Sequence, residues 1–414
     1  MEIRSITVFA HPGYPPRKGV FRQAGELANT LRLVYEAADI PVQTTRLATI
    51  PFPLLVKNNR EARHLAQETE ALAAPHGLDY LSLGPALPGN PATYTWIPEM
   101  LSATQKVFLS GVMATSEGTI HPAAIRACAE VIHAAAPLEA NGFANLRFAA
   151  LAGVPPHAPF FPAAYAEPRR ADPGVLGFAL ALEAADLAVQ AFRQAADIPQ
   201  AQRNLTAAIE EHAGRLVRLA ETVAQKRQAT FFGLDFSLAP FPDEATSLGA
   251  AMERLGVPQV GLHGSLSAAA ILAAAIDAAR FPRVGFSGLM LPVLEDATLA
   301  HRAAQGTLSV KDLLLYSAVC GTGLDTLPLP GDATAEQLSA VLYDLATLAA
   351  RLGKPLTARL MPMPGKKPGD AVMFDFPYFA NSRVLALEAR PLQGALLGRA
   401  PFALKARGQA RRNA

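Results

Sequence analysis

Cysteine is nearly missing from this chain. Only Cys128 and Cys320 occur in 414 residues, which excludes a disulfide framework and suits a reducing compartment. Charge is sparse as well. Asp, Glu, Lys and Arg make up 17% of the sequence and the formal net charge is +2, so no strong field favours nucleic acid or acidic partners. The one basic cluster, Lys405 to Arg412, reads as part of a solvated, flexible tail over 401–414. Long apolar runs are also lacking. The richest stretches, 174–193 and 266–279, are interrupted by Glu183, Asp186 and Asp277, short of the roughly 18–20 residues a membrane span needs. Met1-Glu-Ile-Arg leads straight into a strand-like run, so no secretory leader is expected. A cytoplasmic protein with no membrane or nucleic-acid partner is expected. Walker A, dinucleotide, paired-histidine zinc and Cys-x-x-Cys patterns are missing, and the nine histidines are scattered. The sequence therefore assigns no metal and no cofactor.

What is present is apolar: half the residues are hydrophobic, enough for a substantial core. The length suits one large α/β barrel or two ordinary domains. Short β-branched and aromatic runs alternate with long Ala/Leu-rich ones. Strands are predicted at 3–10, 42–48, 78–83, 106–113, 145–152, 230–238, 258–262, 283–287, 355–361 and 371–376. The principal helical runs are 20–38, 60–74, 120–136, 174–196, 203–228, 266–280, 309–319 and 334–352. This alternation predicts an α/β protein with strands inside and helices outside. Residues 153–175, rich in Pro and aromatics, form the longest non-periodic stretch and are expected to pack down.

Four glycine-bearing loops hold the candidate chemistry. The first, Gly233 to Pro240, carries Asp235 and Ser237. The second, Gly261-Leu-His-Gly-Ser265, carries His263, with Ser265 placed to cap the following helix. The third, Gly285 to Asp296, carries Ser287 and Gly288. The fourth, Ser317-Ala-Val-Cys-Gly-Thr-Gly-Leu-Asp325, carries Cys320, Gly321, Gly323 and Asp325. At the mouth of an α/β barrel such loops converge, and a Cys, a His and carboxylates there suffice for nucleophilic or acid/base work. Each residue also has a structural reading. Cys320 reads equally as a small buried side chain, His263 as a donor to a backbone carbonyl, Asp235 and Asp325 as turn caps, and Glu295-Asp296 as a helix start. Arg359 is harder to dismiss, because a guanidinium in an otherwise apolar strand needs an anion partner.

The motifs Asp235-Phe-Ser-Leu-Ala-Pro240, Gly261-Leu-His-Gly264, Ser287-Gly-Leu-Met-Leu-Pro-Val-Leu-Glu-Asp296, Cys320-Gly-Thr-Gly-Leu-Asp325 with Pro330 and Asp332, and Arg359 with Gly365-Lys366 and Gly369-Asp370 resemble the UPF0210/DUF711 family. The first half resembles it more weakly, through Ile3-Arg-Ser-Ile-Thr7, Ser110-Gly111, Ser116-Glu-Gly118 and 145–165. The resemblance implies a fold like the pyruvate formate-lyase (glycyl-radical) enzymes. That is a ten-stranded α/β barrel of two half-barrels, here one domain over 1–414 with pseudo-halves 1–200 and 201–400. It implies Cys320 on a finger-like loop threaded into the barrel. The radical glycine is not matched, because Arg383-Val-Leu-Ala-Leu387 has Ala in its place, so no glycyl-radical chemistry is expected.

Two functions stand side by side. One is a non-radical enzyme acting on a small polar or carboxylate-bearing metabolite, with Cys320, His263, Asp235 and Asp325 catalytic. Arg359, Ser237, Ser287, Gly288, Gly321 and Gly323 would bind that substrate. The other is a non-catalytic small-molecule-binding or regulatory protein. A metal held by Asp235, His263 and Asp325 lacks paired ligand spacing. The Ala-rich 266–280 surface offers a face for a second copy or for packing within the fold.

Overall fold

The computed structural model describes residues 1–168, 175–193 and 195–407. The last part of the 153–175 loop and most of the basic tail lie outside the described residues. In chain order the strands are β1 (Glu2–Ala10), β2 (Val42–Thr49), β3 (Tyr80–Ala86), β4 (Val107–Ala114), the short β5 (Thr119–Ile120), β6 (Phe148–Ala152), β7 (Gly177–Glu183), β8 (Thr230–Asp235), β9 (Gly323–Pro330) and β10 (Leu356–Met363). The central sheet runs β8-β7-β1-β2-β3-β4-β6-β10-β9. Strands β1, β2, β3, β4 and β6 are mutually parallel. The pairs β7/β8 and β9/β10 are also parallel, and each meets the five-strand block antiparallel, at β1/β7 and β6/β10. The protein is thus a mixed α/β structure with a large, mostly parallel sheet. Single parallel bridges join Leu234 to Arg283, Leu238 to Leu289, and Pro292 to Asp325.

Alternation along each strand separates two environments. On one face Ile6, Val8, Leu47, Leu81, Leu109, Leu180 and Leu360 share a core with helix residues. The helix Lys18–Glu36 shows why: Phe21, Ala24, Leu27, Leu31 and Tyr35 recur at helical spacing and are buried. Full burial of a Leu or Phe contributes roughly 1.5–3 kcal/mol. Its Tyr35 hydroxyl donates to Leu216 O at 2.9 Å, tying it to the helix Ile198–Arg227. The other face carries Ser5, Thr7, Arg46, Ser82 and Arg359 with a smaller aromatic cluster around Phe9, Phe108 and Phe161.

The segment packed on that second face is 154–167. Thr7 Oγ1 donates to Pro159 O at 2.8 Å, Ser82 Oγ to Ala164 O at 2.7 Å, and Ala166 N to Thr49 O at 2.9 Å. His157 stacks on Phe232 with ring centroids 3.7 Å apart. The stretch therefore packs down as its prolines and aromatics suggest. The Cys320 turn lies elsewhere, in the helix-facing core.

Several expected elements differ. The run 174–196 reads as one helix but forms β7 and then the helix Ala185–Arg193. A strand buried on both faces is continuously apolar, so its period gives no warning. Residues 323–330, not expected as a strand, form β9 and are buried throughout. Regions 258–262 and 283–287 make only single bridges, and 371–376 keeps just Ala371–Val372 as a strand. Ser265 is not the cap of its helix. Gly264 holds that position, and Ser265 Oγ donates to Leu262 O at 2.7 Å.

Candidate functional site

A cavity of about 190 Å3 opens on the polar face of the sheet. That is below the roughly 300–1,000 Å3 of drug-sized pockets, so it suits a small ligand. Its apolar wall includes Tyr80, Phe108, Phe161, Phe286, Met290 and Tyr378. Its polar wall is ionic and begins at Arg4, where the β1/β7 register slips between Ile3 and Ser5. The slip places this guanidinium beside the inward-facing Ser5 and Thr7.

Arg4 donates to Glu183 and to Glu295, each at 2.8 Å, and lies 5.0 Å from the Tyr378 ring centroid. The other oxygen of Glu295 accepts from Arg359 at 2.8 Å. Arg359 also grips both oxygens of Asp325, through Nε to Oδ1 and through Nη2 to Oδ2. Gln43 Nε2 supports Glu183 at 2.8 Å. One chain of charge therefore runs Glu183–Arg4–Glu295–Arg359–Asp325. Burial opposes charge on Arg359, yet Asp325 and Glu295 raise its pKa above the usual value. Burial also pushes the Asp325 carboxyl upward, against the pull of Arg359.

Arg46 differs from its neighbours. It is 8% exposed and lines the same cavity. Its Nε donates to Thr44 Oγ1 at 2.9 Å, and its plane sits 5.1 Å from the Phe161 centroid and 5.7 Å from that of Tyr80. Among the described residues no carboxylate pairs with it, and its Nη groups make no hydrogen bond. Burial, followed by the positive charge of Arg4, lowers its pKa to about 9. Arg147 shows the usual arrangement for comparison, donating to Glu139 at 2.6 Å and to the carbonyls of Thr104 at 2.9 Å and Leu101 at 3.0 Å.

Of the residues singled out from sequence, the fold brings Asp325 and Arg359 together on this cavity, with Glu295, read from sequence as part of a helix start, between Arg359 and Arg4. The others lie apart from it. Cys320 is 1% exposed within the helix-facing core, and its backbone N donates to Tyr316 O at 2.8 Å. Its carbonyl accepts from Lys354 Nζ. His263 stands exposed in the turn before the helix Ser265–Ala278. Asp235, Ser237 and Ser287 form a knot of their own. Asp235 accepts from Ser237 Oγ at 2.6 Å and from the backbone N of Phe286 and Ser287 at 2.7 Å each. A side chain at Gly285 would collide with its Oδ2. Gly288 and Gly321 meet backbone to backbone, and Gly323 pairs with Thr357 where β9 joins β10. Asp296 caps the helix Ala297–Gln305 and also accepts from Leu248 N at 2.6 Å, whereas Glu295 beside it faces the cavity.

Arg4, Arg46, Gln43 and Glu183 were not singled out from sequence. Arg4 and Arg46, like Arg359, each interrupt a strand-like run and so need an anion partner.

Burial raises the Asp235 carboxyl to about 6. Its folded value thus exceeds the unfolded one of about 3.9. The folded chain keeps this proton longer, so stability present below about pH 4 is lost as pH rises toward 6. The expected size is roughly 2–3 kcal/mol. Urea unfolding from pH 4 to 7 should show wild type losing ground against Asp235→Asn across that window. A pH-independent difference would refute it.

These features define a mixed α/β protein with a small, ion-lined cavity on one sheet face. The chain belongs to the family described as "Uncharacterised ACR (DUF711)", whose profile matches residues 1–380. It is 34% identical over 351 residues to a UPF0210 protein of Pyrobaculum aerophilum, covering 80% of this chain and 75% of that one. A UPF0210 protein of Syntrophobacter fumaroxidans is 30% identical over 407 residues, covering 90% and 88%. No described helix is long and apolar enough to cross a membrane.

Proposed function

We propose that the cavity binds a small carboxylate-bearing molecule, anchored on Arg46. The observation that carries this is a buried guanidinium that, among the described residues, has free donors and no anion of its own. Taking an unpaired charge out of water is costly unless something else pairs with it. A planar carboxylate fits the guanidinium fork. Arg46→Gln should weaken binding about 30-fold or more while leaving the unfolding midpoint unchanged or raised. Thermal-shift titration with a panel of small carboxylates checks this. Equal stabilisation of wild type and variant would sink the reading.

Binding is favoured over turnover by the placement of the candidate groups. Neither the Cys320 thiol nor the His263 imidazole lines the cavity, and Glu295 and Asp325 are held by guanidiniums. A non-radical enzyme remains the second reading, supported by the upward push on Asp325 beside the cavity, which suits a proton carrier.

We also infer that the sheet closes into a ten-stranded barrel, with 283–292 as the tenth strand between β8 and β9. The three single bridges support this. So does strand direction: β7, β8, the bridging run, β9 and β10 then form one parallel set of five, antiparallel to the other five. That is the two-half arrangement of the pyruvate formate-lyase-like fold. In that barrel the threaded segment is 154–167.

A further inference from the structure

The charges around the cavity cancel. Arg4, Arg46, Arg147 and Arg359 line it, with Glu139, Glu295 and Asp325 among them, and Glu183 stands behind Arg4. Arg147 and Glu139 neutralise each other. The remaining charges are not evenly spread. Three carboxylates share the two guanidiniums of Arg4 and Arg359, which leaves a surplus negative charge at that end. The matching positive charge is Arg46, one strand away. Thr7 of β1 pairs with Arg46, and Thr44 Oγ1 donates to Arg4 O at 2.8 Å. Neighbouring strands stand about 4.8 Å apart, so the two poles are close without touching.

A plain carboxylate on Arg46 would satisfy that end and leave the whole buried site with net negative charge, an unfavourable state in a low-dielectric space. A ligand carrying both charges would satisfy each pole and leave the site neutral. A second observation marks the negative pole. Gln43 lines the cavity, its amide N donates to Glu183 and, at 3.2 Å, to Glu2, and among the described residues its buried Oε1 has no partner. This is a free acceptor beside surplus carboxylate charge, which is what an ammonium requires. The aromatic wall adds a place for an apolar side group and a face for the cation.

Resting on the carboxylate-binding reading above, we infer that the ligand is a zwitterion with an apolar side group, as in an apolar α-amino acid. Its carboxylate lies on Arg46. Its ammonium lies toward Gln43 Oε1 and the Glu295–Asp325 end, and its side group lies against Phe108, Phe161 and Phe286.

The test uses two matched trios on the full chain. One is phenylalanine, 3-phenylpropanoate and phenethylamine. The other is leucine, 4-methylpentanoate and isopentylamine, so that size does not decide the result. Calorimetric titration should give at least one amino acid binding tenfold or more tighter than its own acid and amine. Arg46→Gln should abolish that binding. Gln43→Leu should weaken the amino acid and leave the acid unchanged. If an acid binds as tightly as its amino acid and both are lost in Arg46→Gln, carboxylate binding stands and the zwitterion is overturned. If no member of either trio binds, both fail.

Discussion

Replacing Arg359 by Met should lower the unfolding free energy by about 3–5 kcal/mol at pH 7. Methionine keeps much of the apolar stem, so the loss isolates the charge. Arg359 holds both Asp325 oxygens and one Glu295 oxygen, and all three side chains are largely buried. Without it, two carboxylates face each other with only Arg4 between them and Glu183. Burial already pushes the Asp325 carboxyl upward, and with the opposing pull of Arg359 gone the deficit should shrink as pH falls from 7 toward 5. Adding Asp325→Asn to Arg359→Met should recover part of the loss, because one uncompensated charge disappears with it. Urea midpoints for the two variants at both pH values give the result. A deficit that is the same at both pH values would mean that packing, not charge, explains Arg359.

The second large effect is expected at Gly321. Its Cα sits where the Cys320 turn crosses the loop after Gly285. A Cβ there would lie 2.7 Å from Gly288 Cα and 3.1 Å from its carbonyl carbon. These are backbone atoms, and they are fixed by flanking hydrogen bonds. Gly321 N donates to Leu289 O and Leu238 N to Gly288 O, each at 3.0 Å. Neither strand of the crossing can yield without breaking a bridge. Gly321→Ala should therefore cost about 3 kcal/mol, at the upper end for overpacking. Gly214→Ala is the control. That residue lies inside the helix Ile198–Arg227 with only Arg218 Nη1, at 3.5 Å, near its added methyl. It should gain roughly 0.5–1 kcal/mol. Similar midpoints for the two variants would remove the crossing as the reason for glycine at 321.

How legible the chain was depends on what each residue type must satisfy. The α/β alternation could be read because amphipathic helices and β-branched strands differ in period. The boundary inside 174–196 could not, since Gly177–Glu183 is apolar on both faces and Ala/Leu-rich. Arg359 could be read because a charge in a strand demands a partner. Arg4 and Arg46 obey the same rule, but Arg4 sits so near the start of its strand that it passes for an exposed end. Its inward position comes from a register slip that no local pattern announces. Cys320 drew attention through rarity and its glycines. Those glycines answer a different need, the close crossing at Gly288 and Gly321 and the pairing of Gly323 with β10. Asp235 was marked by its loop, but its three donors come from segments fifty residues on as well as from its neighbour Ser237, and sequence does not reveal that.

The ionic chain in the cavity joins distant parts of the polypeptide. Arg4 and Glu295 are 291 residues apart, and Glu295 meets Arg359 across a further 64. Contacts at such separation form late, after the loops between them have been closed. During synthesis, β1 emerges with its guanidinium long before either carboxylate that pairs with it, since Glu183 follows by 179 residues and Glu295 by 291. A ribosome-bound chain truncated before residue 359 has no complete site, however well its first five parallel strands have paired. On the binding reading proposed above, ligand capture would report finished folding.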